Sequence, residues 1–471
     1  MKETVVLYPM PSMGHVSPMV ELARLFTGHG FSVTVVLMDS PTMHPFLDAL
    51  IARISFAHHC ISFHRLPPIA SVPDPAASPI VRFLDVVRLN NPQLLCFLAT
   101  HSLTSDVRAV VLDFFCIDAF GVTTELCLPS YFFFPPGASV LASFLYLPNL
   151  LSAVDLSIKD LADAPLLFPG LPPIPASHMP PIIMDRNSDS YERLLSIFQR
   201  LPDADGLLVN TFESLEAPAI RALKDGACVA GRWMPPVYCI GPLVADECNI
   251  VRRGKEEKAE CMAWLEAQPP RSVAFLCFGS SGSFPFEQQK EIAAGLEKSR
   301  QRFLWVVRAQ LDTELESLLP EGFMERTKQK GFVVKSWAPQ VEVLNHEAVG
   351  GFVTHCGWNS VLEAIAAGVA MVAWPLRSEQ RMNKVLLVEQ MGLAVAVEGY
   401  DKELVAAEEV EAKVRWLIES DGGRELRERA LGMKQRAETA RKEGGSSHRA
   451  WLEMVEALKE ASQKTTRRHP N

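Results

Sequence analysis

A chain of 471 residues exceeds what one hydrophobic core ordinarily fills, so at least two domains are expected. Hydrophobic residues make up 48% and charged residues 21%, the balance of a globular enzyme and not of a disordered or fibrous chain. The formal net charge of −9, with basic residues clustered only in a solvated tip (Lys464, Arg467, Arg468), argues against a nucleic-acid partner.

The chain opens with an apolar run at 4–8 ended by Pro9, with no small-residue cleavage site after it. This reads as a first strand and not a signal peptide. Residues 15–27 carry helical spacing, Gly28-His29-Gly30 closes that helix, and 31–38 is a β-branched strand. Two more buried-strand signals follow at 108–112 (RAVVL) and 206–210 (GLLVN). Strands alternating with helices predict βαβ units and a parallel sheet. The most apolar stretch, 131–151, is interrupted by Pro135, Pro136, Gly137 and Pro148, which argues against a membrane span.

Residues 155–205 turn Pro-rich and predict a long irregular excursion, the kind that forms a functional wall or lid. A second composition break, from Gly-Pro at 241–242 to the charged run ending at 257, predicts the interdomain linker. The alternation then restarts, with strands expected at 272–278, 302–307, 331–335, 349–354 and 370–374 and a helix at 286–298. The expected architecture is α/β, two doubly wound Rossmann-like domains in series facing across a cleft. An N-terminal domain spans 1–243, a linker 244–257, a C-terminal domain 258–446, and a terminal helix and tail 447–471 cross back to the first domain. The ten cysteines stand singly, without Cys-x-x-Cys spacing, as reduced thiols of a cytosolic protein do. No His or carboxylate cluster has ligand spacing, His58-His59 included, so no metal is expected.

The densest chemistry lies at 337–380, WAPQVEVLNHEAVGGFVTHCGWNSVLEAIAAGVAMVAWPLRSEQ. It contains a strand, the tight turn His355-Cys356-Gly357, and a helix expected from about residue 359 to 367 with Asn359 or Ser360 as its cap. A helix N-terminus offers N–H groups and a positive dipole end, which suits a diphosphate, and His355 points to the same place. Trp337 offers a flat face for a base, Glu363 an acceptor for ribose hydroxyls, and Glu379 with Gln380 a pair for sugar hydroxyls. Taken singly, each of these residues is as well explained by capping or core packing.

The whole segment resembles, almost position for position, the signature box of plant family 1 UDP-glycosyltransferases. The resemblance runs along the full chain, through MPSMGHVSP (10–18), LVNTFESLE (208–216), FGSS (278–281) and FLWVVR (303–308). It implies the two-domain GT-B fold. It also implies that Trp337 stacks on uracil while the backbone of Ala338 reads its edge, and that Gln340 and Glu363 hold the ribose. His355, Asn359, Ser360 and Ser280 would hold the diphosphate, and Trp358, Glu379 and Gln380 would face the sugar. Trp at 358 and Gln at 380 go with a neutral hexose, glucose above all, and Glu379 replaces the commoner Asp.

His15 stands at a strand-to-helix junction on the ligand edge of the first sheet, and Asp113 ends a strand on the same edge. Asp118 competes for the acidic role, and the resemblance selects Asp113. As the family's dyad, His15 would deprotonate the acceptor hydroxyl and Asp113 would orient the imidazole and stabilise its charge. A single displacement inverts the anomeric centre, without a metal. UDP-glucose and a small phenolic or other hydroxylated acceptor are the expected partners of a monomeric protein. Phe114, Phe115, Phe134 and Pro135, with the excursion near 180–183, are candidate acceptor walls. Where relatives often carry Thr or Ser near the sugar's 6-hydroxyl, this chain has Pro135, with neither hydroxyl nor N–H donor, so that contact is expected to be missing or displaced and the donor choice less strict. C-glycosylation of an electron-rich ring and an inactive nucleotide-sugar-binding protein remain alternatives. A dinucleotide oxidoreductase is not favoured, because no Gly-x-Gly-x-x-Gly follows the first strand.

Overall fold

The computed structural model describes residues 2–38, 51–52, 54–55, 59–69, 73–152, 156–245, 255–280, 282–308 and 314–468. The chain forms two compact units, residues 1–245 with 439–471, and residues 246–438. The sequence places these divisions at 243, 257 and 446. Residues 246–254 of the expected linker, and His58, lie outside the described residues.

The first unit holds a seven-stranded sheet in the order β3-β2-β1-β4-β5-β8-β9. Its strands are β1 (Glu3–Tyr8), β2 (Ser32–Leu37), β3 (Ile61–Arg65), β4 (Asp106–Asp113), β5 (Ser130–Phe134), β8 (Gly206–Val209) and β9 (Val237–Cys239), all paired in parallel. β1 and β5 are buried almost throughout, as strands covered on both faces must be, which is why they read as continuous apolar runs. Helices α1 (Met13–Gly28), α2 (Pro79–Thr104), α3 (Ala138–Ser152) and α4 (Glu213–Lys224) are among the crossovers.

The second unit holds a six-stranded parallel sheet in the order β12-β11-β10-β13-β14-β15. These are β10 (Val273–Cys277), β11 (Arg302–Val307), β12 (Gly331–Lys335), β13 (Val349–Thr354), β14 (Met371–Ala373) and β15 (Ala394–Ala396). Counted within each unit, both sheets run 3-2-1-4-5-6, the Rossmann order, and the first adds one strand beyond it. In such a sheet the chain leaves the first and fourth strands in opposite directions, opening a crevice at their carboxyl ends. That crevice falls between β1 and β4 in one unit and between β10 and β13 in the other.

The Pro-rich excursion is more ordered than its composition suggests. It contains a small antiparallel pair, β6 (Pro165–Leu166) with β7 (Ile174–Pro175), and a helix Tyr191–Arg200. That helix buries Tyr191, Leu194, Ile197 and Phe198 on one stripe, and Phe198 stacks on Phe144 of α3 at 4.5 Å. Its amphipathic spacing was overshadowed by the prolines upstream. Among the described residues no helix is long and apolar enough to cross a membrane.

The C-terminal helix Ser446–Arg468 belongs to the first unit, where Trp451, Met454, Val455 and Leu458 join the core formed by β1, β2 and α1. Ser447 Oγ donates to Gly241 O at 2.6 Å, and Trp451 meets Phe26 edge-on at 4.8 Å. Trp451 is 3% exposed, so truncating it leaves a large void in that core. Trp451→Ala should cost about 3–5 kcal/mol of stability, seen as a lower urea midpoint for the first unit. A midpoint unchanged from wild type would mean that the helix contributes little to holding this unit together.

Candidate active site

The crevice of the first unit brings His15 and Asp113 into contact. Tyr8 and Leu112 are register partners, so the ends of β1 and β4 lie side by side. The chain leaving β1 turns at Ser12, the N-cap of α1, and places His15 in the first helical turn. Asp113 closes β4 and caps the 3₁₀ turn Phe114–Ala119. Its Oδ1 accepts the Phe115 N–H at 3.0 Å, and its Oδ2 lies 2.7 Å from His15 Nδ1. Asp113 is fully buried, whereas the imidazole is 18% exposed. A carboxylate held on one side by a backbone N–H and on the other by the ring fixes Nδ1 as the protonated nitrogen. Nε2 is then the basic one. The competitor Asp118 is engaged elsewhere, with Arg200 at 3.2 Å and Arg193 at 3.5 Å.

Aromatic rings surround the imidazole. Phe114 and Phe115 lie 5.9 and 5.7 Å from it, and Phe114 contacts Phe134 at 4.6 Å. Phe114, Phe134 and Pro135 are buried, and Phe115 is partly exposed. The turn 135–137 that follows is tied down by a residue whose role the sequence did not reveal. Glu216, fully buried, accepts N–H bonds from Ala138 (2.8 Å) and Ser139 (2.9 Å) and the Thr211 hydroxyl (2.5 Å). A non-helical backbone at Glu216 (φ −131°, ψ 37°) breaks α4 there, and this carboxylate caps α3 from the neighbouring helix.

In the second unit, His355 follows β13 and Gly279-Ser280 follows β10, on the two sides of the other crevice. The His355 ring sits against two glycines. A Cβ at Gly279 (φ +76°) would stand 2.6 Å from the ring's Cε1 and Nε2, and one at Gly357 would collide with Nε2. Burial, reinforced by the nearby positive charge of Arg377, lowers the His355 pKa to about 4, so the ring is neutral at ordinary pH. Its Nδ1 is buried and has no hydrogen-bond partner among the described residues. Cys356 adopts φ +65°, and Asn383 Nδ2, another residue missed from sequence, holds its carbonyl at 2.9 Å.

Helix α5 (Trp358–Ala367) starts one residue earlier than expected. Gly357 takes the N-cap place, and it brings no side-chain cap. Asn359 and Ser360 are therefore inside the first turn, not at the cap. Gln340 Nε2 donates to Glu363 Oε2 at 2.6 Å and lies 2.8 Å from Ser360 Oγ, so three of the expected donor residues form one cluster. Ser280 is exposed, Trp337 and Asn359 are half-buried, and Ala338 is 7% and Trp358 3% exposed. Glu379 is the N-cap of the helix Gln380–Val385. Gln380 Oε1 accepts the N–H groups of Leu376 (2.9 Å) and Arg377 (2.8 Å). Among the described residues no group of three His, Cys, Asp or Glu side chains is gathered as a metal ion requires.

The family model for UDP-glucoronosyl and UDP-glucosyl transferase matches residues 238–425. UDP-glycosyltransferase 88F3 of Pyrus communis is 45% identical, over 97% of this chain and 100% of its own. The phloretin 2'-O-glucosyltransferase of the same species is 44% identical over the same shares. The chain belongs to the plant UDP-glycosyltransferases. The solved structure of Phytolacca americana UGT2 complexed with UDP-2fluoro-glucose and pterostilbene matches with a TM-score of 0.89 at 32% identity, over 97% of this chain and 100% of that one. The GT-B fold expected from the resemblance is thus the fold of this glycosyltransferase.

One titration in the second unit of the glycosyltransferase has a measurable consequence. Desolvation raises the Glu363 pKa to about 7, against the hydrogen bond from Gln340, which lowers it. The folded carboxyl therefore keeps its proton to higher pH than the unfolded one, whose value is near 4.5. Stability from this group is fully present below the unfolded value and is lost as pH rises through about 7. Glu363→Gln cannot ionise, so its Tm relative to wild type should be more favourable at pH 8 than at pH 5. The same difference at both pH values would show that Glu363 titrates as an ordinary carboxylate.

Proposed function

We propose that this enzyme transfers glucose from UDP-glucose to a phenolic hydroxyl of a small planar acceptor, with inversion at the anomeric carbon. The observation that carries the reading is the His15–Asp113 contact of 2.7 Å at the crevice of the first sheet. His15 Nε2 takes the acceptor proton as the acceptor oxygen forms its bond to the anomeric carbon, and the bond from that carbon to the UDP oxygen breaks. Asp113 keeps the ring in the required tautomer and stabilises the imidazolium, a role it fills without itself being protonated.

Charge develops on the departing diphosphate. Neutral His355, with the N-terminal turn of α5, is suited to stabilise it by hydrogen bonds and dipole, so no resident metal is called for. Gln340 and Glu363 would take the ribose and Trp337 the base. Phe115 beside His15 supplies an aromatic face, which suits a phenolic acceptor, as do the activity named for the Pyrus phloretin glucosyltransferase and the pterostilbene in the Phytolacca complex. The mature reaction would run in the cytosol on a single chain.

The test is product analysis by mass spectrometry and NMR across flavonoids, simple phenols and terpenoids with several donors. β-O-glucosides should form from UDP-glucose and phenols. UDP-glucuronate should be poorer by on the order of 10- to 100-fold in kcat/KM, because Trp358 offers no charge-assisted hydrogen bond to a carboxylate. Preference for UDP-glucuronate would overturn the donor assignment, and UDP binding without product from any acceptor would favour a binding protein.

A further inference from the structure

The backbone takes an unfavourable course where β12 ends. Trp337 N–H donates to Lys335 O at 2.7 Å, which closes a γ-turn over Ser336, whose φ is +65°. γ-Turns with positive φ are the rare and strained form, and a serine gains nothing from that region that a glycine would not reach more easily. Strain of this sort persists only where surrounding bonds over-determine it, and it concentrates at functional sites. Two bonds do so here. Ser336 N–H donates to Val307 O at 2.7 Å, and Arg308 Nη1 donates to Ser336 O at 3.1 Å.

Arg308 follows β11 directly and is half-buried. Among the described residues no carboxylate pairs with it, and burial lowers its pKa from the ordinary arginine value. A partly desolvated guanidinium is thus committed to a backbone carbonyl. That carbonyl belongs to the peptide joining Ser336 to Trp337. Fixing it sets the plane of that peptide, and so the direction in which the chain delivers Trp337 and the Ala338 backbone.

We propose that Arg308 is a positioning residue for the uracil end of the donor site: it clamps the Ser336 carbonyl, keeps the γ-turn closed and holds Trp337 as a platform for the base. The proposal rests on the assignment of the base to Trp337. It gives Arg308 no contact with the nucleotide. A lysine keeps the charge and loses the planar fork, so it should replace Arg308 only in part.

The test is affinity for uridine, by NMR titration, and for UDP, by calorimetry, in wild type, Arg308→Gln, Arg308→Lys, Ser336→Gly, Arg308→Gln with Ser336→Gly, and Trp337→Ala. Arg308→Gln should weaken uridine and UDP by the same factor, about 10-fold, the order expected for a hydrogen bond from a charged donor. Arg308→Lys should fall between. Adding Ser336→Gly to Arg308→Gln should recover much of the loss, because glycine holds the turn without strain. A loss distinctly greater for UDP than for uridine would overturn the proposal in favour of a phosphate contact. A lowered Tm with unchanged uridine affinity would reduce Arg308 to a structural role. Trp337→Ala tests the underlying assignment separately: if uridine affinity survives it, the base does not sit at Trp337, whatever Arg308 does.

Discussion

The proposed chemistry depends on one contact, the 2.7 Å approach of His15 Nδ1 to Asp113 Oδ2. Neither residue could make it from its own segment. It requires β1 and β4 to be neighbours although α1, β2, β3 and α2 intervene, and it requires the register that sets Tyr8 beside Leu112. The 3-2-1-4 strand order supplies both conditions. It also sends the chain away on opposite sides after β1 and β4, so that the two strand ends are not covered by a common crossover. Asp113 is fully buried and bonded at both oxygens, so its geometry is set by the fold before any ligand arrives. Preorganisation of this kind is where enzymes gain most, because no reorganisation remains to be done in the transition state.

The second unit uses the same topological device with different contents. The ends of β10 and β13 carry Gly279 and His355, and the absence of side chains at Gly279 and Gly357 makes room for the imidazole. Burial keeps that ring neutral, with a pKa of about 4. A neutral ring can donate a hydrogen bond from one nitrogen without the cost of a buried charge. Side-chain clamps hold the backbone at several places, two of them, Cys356 and Ser336, with positive φ. Asn383 holds Cys356, Arg308 holds Ser336, and in the first unit Glu216 holds the start of α3. These clamps act on the backbone next to the expected site residues, from side chains distant in sequence.

Much of this was legible in the sequence, for physical reasons. Strands buried on both faces appear as unbroken apolar runs, so β1, β4, β8, β10, β11, β12 and β13 were located within a few residues. His15, Asp113 and the residues of 337–380 were found because they belong to a contiguous motif or stand at strand ends. What escaped detection was what depends on distant contacts. Glu216 looks like an ordinary first-turn helix acid, and only the kink at that residue turns its carboxylate towards Ala138 and Ser139. Asn383 and Arg308 act on carbonyls 27 and 28 residues away in the chain, respectively. The helix Tyr191–Arg200 was hidden by the prolines before it. The cap of α5 was assigned to Asn359 or Ser360 on side-chain preference, whereas the tight turn after His355 needs Gly357 at that place.

The central claim is that His15 is a proton acceptor aimed by Asp113, and its dependence on acceptor acidity tests this most directly. The measurement is kcat at saturating acceptor for wild type and His15→Ala, across phenols from weakly acidic to largely ionised at the assay pH. With weakly acidic phenols, the substitution should cost roughly 10²–10⁴-fold, the usual worth of a general base. With phenols that arrive as phenolates the cost should shrink markedly, because the nucleophile is already formed. A penalty of equal size across the series would contradict the account and leave His15 as a group that places the acceptor without removing its proton.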